Sequence, residues 1–128
     1  MSQATVQRTG FGFDFESLTA VHWVGMVLAA ITGVVHLFLF YDQGFVPFLL
    51  AGLGFFGGIA LLLVTQGRYR LGIYLVGIPF TAAQIAGYVA VEQPRTLGDV
   101  TTLAIVDKVV QVVLIALLAY LFVTEWRR

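Results

Sequence analysis

The sequence predicts an all-α fold: an integral membrane four-helix up-down-up-down bundle with both termini cytoplasmic. Three observations predict it. Hydrophobic residues make up 59% of the 128-residue chain and charged residues only 11%, where a soluble domain usually carries about 25% charged residues. The mean hydropathy is +0.94. The apolar residues also fall into four stretches of the roughly 20-residue length that a bilayer span requires, joined by short connections. This composition excludes a soluble enzyme. Seven Lys/Arg against seven Asp/Glu leave no positive field for nucleic acid. With no cysteine, disulfides, thiolate zinc sites, iron–sulfur clusters and thiol catalysis are excluded as well.

The four spans are expected at residues 18–41, 45–65, 71–91 and 102–124, in one domain covering 18–128. Short links favour antiparallel neighbours. Gly44 and Gly67 follow helix ends, where a left-handed cap suits glycine. Pro47 falls in a first helical turn, where its missing N–H costs nothing. Pro79 falls mid-span; it should kink the third helix and release the carbonyl of Leu75, which needs a donor from a neighbour. Residues 1–17 hold Gln3, Gln7, Arg8, Asp14 and Glu16 and lack the apolar core of a signal peptide. Phe11, Phe13 and Phe15 alternate with Gly12 and Asp14, so this cytoplasmic or interfacial segment is read as lying on the membrane surface. Asp14 or Ser17 is expected to cap the first helix. Arg8, Arg68, Arg70, Arg127 and Arg128 fall on one side and Arg95 alone on the other, which places both termini in the cytoplasm. Trp23 and Trp126 then lie at that interface.

Small residues mark the packing faces. The second helix carries Gly54-x-x-x-Gly58, the third Ala83-x-x-x-Gly87, and the first Gly25, Ala29 and Gly33. Such spacing allows close backbone approach in lipid. It is read as packing inside one bundle, with dimerisation as the alternative.

Two groups of residues could carry chemistry. His22 and His36 lie fourteen residues apart on the first helix, about 21 Å along the axis and roughly 40° apart in azimuth. With Gly25, Met26, Ala29 and Gly33 on the same face, that helix resembles the ligand helices of cytochrome b proteins, in which paired histidines hold haem near each membrane surface. The resemblance implies haem b at His22 and His36, with Arg68, Arg70, Arg95, Arg127 or Arg128 for the propionates. The other helices have no histidine, so bis-histidine ligation would need a symmetric dimer. The competing reading makes His22 an interfacial residue beside Trp23.

The second group lies in the outer half. Asp107, Lys108 and Gln111 fall inside the fourth span, where ionisable residues are costly and point to function. Asp107 and Gln111 share a face; Lys108, about 100° away, is expected to snorkel outward. Asp107 and Lys108 are read as neighbours, not as partners across a helix turn. His36, Gln84 and Tyr88 fall at comparable depth, so a polar cluster of His36, Gln84, Tyr88, Asp107, Lys108 and Gln111 is expected. His36 or Tyr88 would satisfy Asp107. The cluster reads either as a proton-relay or small-ligand site, or as a hydrogen-bond network fixing helix register. No nucleotide loop, metal-ligand pair or nucleophile–base arrangement accompanies it, so no catalytic set is recognised.

Three segments, His22-Trp23-Val24-Gly25 running on to Gly33-x-x-His36, Val76-Gly77-Ile78-Pro79-Phe80-Thr81, and Asp107-Lys108-Val109-Val110-Gln111, resemble a family of small four-span membrane proteins of halophilic archaea. That resemblance implies topology and no activity. The chain is therefore read as an accessory or scaffold subunit of the cell membrane. Its expected partners are the lipid bilayer and either a second copy or a larger membrane complex. The alternatives are a homodimeric haem carrier and a small proton-linked transporter or ligand-binding protein built on the Asp107 cluster.

Overall fold

Four long apolar helices follow one another with little between them. The structure, a computed structural model, describes residues 10–96, 98 and 100–128; the expectations that fall on Gln3, Gln7 and Arg8 lie outside these residues. The helices are α1 (Ala20–Gln43), α2 (Val46–Val64), α3 (Arg70–Glu92) and α4 (Thr102–Trp126). All four are long and apolar enough to cross a membrane. They run up-down-up-down. One end of the bundle therefore holds the start of α1 and the end of α4, and is called the terminal end below. The other end carries the α1–α2 and α3–α4 connections and is called the hairpin end.

Local chemistry sets the helix limits. α1 stops at Gly44, whose φ of 68° is left-handed and whose N–H reaches the carbonyl of Phe40 at 2.7 Å. Pro47 then opens α2 within its first turn. Thr101 caps α4 by accepting from the N–H of Ala104 at 3.1 Å. At the start of α1 the expected cap is corrected. Thr19 holds the N-cap position, and Asp14 and Ser17 serve another purpose. The buried Arg70 donates to the carbonyl of Asp14, the hydroxyl of Ser17 and the carbonyl of Thr65. It ties the segment before α1 to the α2–α3 connection. The same junction carries a short antiparallel pairing of β1 (Gly10–Phe11) with β2 (Thr65–Gln66). Phe11, Phe13 and Phe15 stay exposed there. Phe13 and Phe15, with Trp23, form a row of tilted rings.

α3 runs through Pro79 without interruption. Two of its polar side chains donate back to its own carbonyls: Thr81 to Gly77 at 2.7 Å and Gln84 to Phe80 at 3.2 Å. Glycines let the helices close on one another. A methyl group at Gly52 would strike Leu37 of α1, one at Gly33 would strike Phe56 of α2, and one at Gly54 would strike Phe80 of α3. Gly54 is thus used inside the bundle. Helix α1 packs extensively on α2 and α4, and α3 on α4, whereas α2 meets α3 sparsely. The apolar core gathers Leu18, Met26, Leu62, Leu71, Tyr74 and Leu121. The polar groups of the spans lie in two clusters, one toward each end.

Candidate functional site

The hairpin-end cluster is built on α1 and α4. Asp107 is buried on α4, one turn before Gln111, which is also buried. Both face Thr32 of α1. The Thr32 hydroxyl donates to Asp107 Oδ1 at 2.6 Å, and Gln111 Nε2 donates to Thr32 Oγ1 at 3.0 Å. Lys108 Nζ donates to Asp107 Oδ2 at 3.1 Å and to Gln111 Oε1 at 3.0 Å. The four side chains form a closed ring. Its polarity has one solution: an ammonium only donates, so the Gln111 oxygen must face it. The Gln111 amide nitrogen then faces Thr32, and the threonine proton goes to the carboxylate. The ring joins two helices, and its opposite charges lie side by side.

Two expectations are corrected here. Lys108 does not snorkel away; its ammonium turns inward, because an adjacent carboxylate, the Gln111 oxygen and the Gln84 carbonyl (3.4 Å) together use its three protons. The aliphatic stem is long enough for these sequence neighbours to pair directly, at 3.1 Å. Asp107 is satisfied by Thr32 and Lys108, and neither His36 nor Tyr88 bonds to it. Tyr88 lies under the ammonium, 5.2 Å from ring centre to nitrogen. Gln84 contributes its backbone carbonyl to Lys108.

His36 joins the cluster through Thr32. Its Nδ1 lies 2.8 Å from the carbonyl oxygen of Thr32. A carbonyl only accepts, so Nδ1 carries a proton, and in the neutral ring Nε2 keeps a lone pair. The ring is buried between Phe48 and Phe55 of α2. It lines a cavity of about 500 Å³ at the hairpin end, together with Gln84, Tyr88, Asp107, Lys108 and Glu92.

His22 lies far from this group, at the terminal end. It is buried, because it turns toward α3 and α4. The backbone N–H of Thr19 donates to its Nδ1 at 3.0 Å. That nitrogen therefore accepts, and Nε2 carries the proton. Nε2 lies 3.0 Å from Glu125 Oε2 and 2.9 Å from the Tyr74 hydroxyl. Tyr74 donates to the same carboxylate oxygen at 2.7 Å. Three helices thus converge on one carboxylate. Both nitrogens of His22 are occupied within the chain, so a metal could reach either only by displacing a partner.

Sequence reasoning missed Thr32, Tyr74 and Glu125. Thr32 is one turn before His36 and shares its face, a helical spacing that could have flagged it. Tyr74 and Glu125 carry no spacing signal relative to His22; they stand 52 and 103 residues away.

Between α2 and α3 lies a second cavity, apolar and about 630 Å³ in volume. Gly25, Gly57, Gly58 and Gly72 line it, and a methyl group added at any of them would meet nothing within 4 Å. Among the described residues no group of three or more His, Cys, Asp or Glu is placed to hold a metal ion.

A family model described as a family of unknown function (DUF7475) matches residues 12–122. No curated protein matches the chain, and no solved structure does.

Proposed function

The chain belongs to that family of unknown function, and we propose that it acts as a non-catalytic accessory or scaffold subunit, multi-pass in the cell membrane with both termini cytoplasmic. The observation that carries this reading is the recess between α2 and α3. Its walls include glycines whose missing side chains leave open space, and small residues are what a partner helix needs for close approach in lipid. The polar clusters support the same reading, because their groups are largely used on one another. We take the occupant to be a membrane helix of a partner subunit with a small-residue face of its own. The likeness to four-span proteins of halophilic archaea belongs to this proposal.

A haem carrier has less support, since His22 offers no lone pair without losing Thr19. Both histidines also turn inward, away from a facing second copy.

The test is to fill the recess. Gly57→Leu and Gly58→Leu should leave thermal stability unchanged or slightly raised, since leucine favours a helix over glycine by up to about 1 kcal/mol per site. They should abolish co-extraction of the native assembly when membranes are dissolved into polymer nanodiscs. A wild-type chain extracted alone, at the same particle size as both variants, would overturn the reading.

A further inference from the structure

We propose that the hairpin-end cavity is a binding site for a small organic ammonium ion, a protonated primary or secondary amine. This goes beyond the scaffold reading and does not depend on it.

The starting point is His36. The residue is 3% exposed, and its tautomer is set by the bond from Nδ1 to the Thr32 carbonyl. Its Nε2 has no hydrogen-bond partner among the described residues, and no enclosed side-chain nitrogen or oxygen is left without one. Nε2 therefore opens on the cavity that the residue lines. A neutral imidazole presented this way accepts one hydrogen bond and donates none.

The other polar groups at the cavity decide what can supply that bond. Gln84 gives one of its two amide protons to Phe80 and leaves its oxygen as a second acceptor. Lys108, the obvious donor, has its three protons committed to Asp107, Gln111 and the Gln84 carbonyl. Among the described residues none of the cavity's own donors, the Tyr88 hydroxyl and the second Gln84 N–H included, bonds to His36 Nε2, so that nitrogen is left for a ligand that donates. Charge narrows the class further. Asp107 and Lys108 cancel as a direct pair. Glu92, exposed at the end of α3, leaves the lining with one uncancelled negative charge. Apart from Gln43 and Thr101 the remaining wall is aromatic and aliphatic, with Phe45 and Phe48 edge to face. It suits the apolar part of a small amine and the ring faces that attract a cation. About 500 Å³ is within the range of small-molecule sites.

The experiment uses the full chain in dodecyl maltoside micelles with three probes. These are 2-phenylethylammonium, its N-trimethyl analogue, which keeps ring and charge but has no N–H, and 2-phenylethanol, which donates without charge. Binding is followed by equilibrium dialysis and by the ¹⁵N resonance of His36 Nε2. The ammonium should shift that resonance and bind the wild type about tenfold or more tightly than it binds His36→Phe, the scale of a hydrogen bond to a charged group. Glu92→Gln should weaken it by about two- to fivefold. If His36→Phe does not fold, the wild-type resonance and the Glu92 variant decide the matter. An unmoved Nε2 resonance overturns the proposal. So does equal binding of the trimethyl analogue or the alcohol, and so does equal uptake by wild type and variants, which would be partition into the micelle alone.

Discussion

Two polar clusters occupy opposite ends of one bundle, and each contains a histidine of α1, yet the two histidines hold opposite tautomers. His22 accepts at Nδ1 from the Thr19 N–H and carries its proton on Nε2. His36 donates from Nδ1 to the Thr32 carbonyl and leaves Nε2 bare. The cause is position in the helix. The first turn of a helix exposes unpaired N–H groups, so a histidine there is offered donors. A histidine near the middle finds every N–H already used and meets only the second lone pair of a carbonyl. One ring is fully used in structure, and the other keeps a lone pair for a ligand.

The clusters differ in closure as well. At the hairpin end four side chains from two helices form a ring in which the charges cancel. At the terminal end two donors from two helices converge on one oxygen of Glu125, whose side chain is 15% exposed and retains access to water. A closed ring holding a charge pair should fail badly when one member is lost, whereas a fan of donors on one acceptor should fail mildly.

The largest expected effect follows from that contrast. Asp107→Ala leaves the Lys108 ammonium without its carboxylate and should cost about 3 kcal/mol, read from unfolding in SDS–detergent mixed micelles. Replacing both with leucine should recover most of the loss, because the pair is removed together. A double variant no more stable than Asp107→Ala would show that the ring does not act as a unit. Next comes Thr32→Val, which keeps the shape but strips partners from Asp107 and Gln111; the expected cost is about 2 kcal/mol. Tyr74→Phe should cost less, about 1 kcal/mol, since Glu125 keeps His22 and water. Should Tyr74→Phe prove costlier than Thr32→Val, the contrast between closed ring and open fan is inverted. The smallest effect is spectroscopic. Long-range ¹H–¹⁵N correlations at neutral pH should find the His22 proton on Nε2 and the His36 proton on Nδ1. A shared tautomer would remove the basis for assigning them different roles.

Much of the architecture was legible in the residue order. Length and hydropathy mark four spans, and glycine and proline mark their limits, because a bilayer demands about 20 apolar residues and turns demand special backbone angles. Height along the bundle could be counted too: at 1.5 Å per residue, Gln84, Tyr88, Asp107, Lys108 and Gln111 fall near one level, and the structure sets them around the Lys108 ammonium and its neighbours. Azimuth was not. How far each helix is rotated depends on contacts such as Gly33 against Phe56, Gly54 against Phe80 and Gly77 against Leu118, and these exist only once the helices meet. Thr32 escaped notice because a threonine in a membrane helix is ordinary until a carboxylate from another helix lies 2.6 Å away. Nothing in the residue order sets Glu125 apart; Tyr74 and His22 close on it only in the fold. The direction in which Lys108 bends was likewise decided by the fold, since a flexible stem follows its nearest acceptors. The sequence by itself therefore determined the number and length of the helices, which are properties of single segments. Tertiary structure decided which polar groups meet, because hydrogen bonds between segments depend on rotations that no single segment encodes.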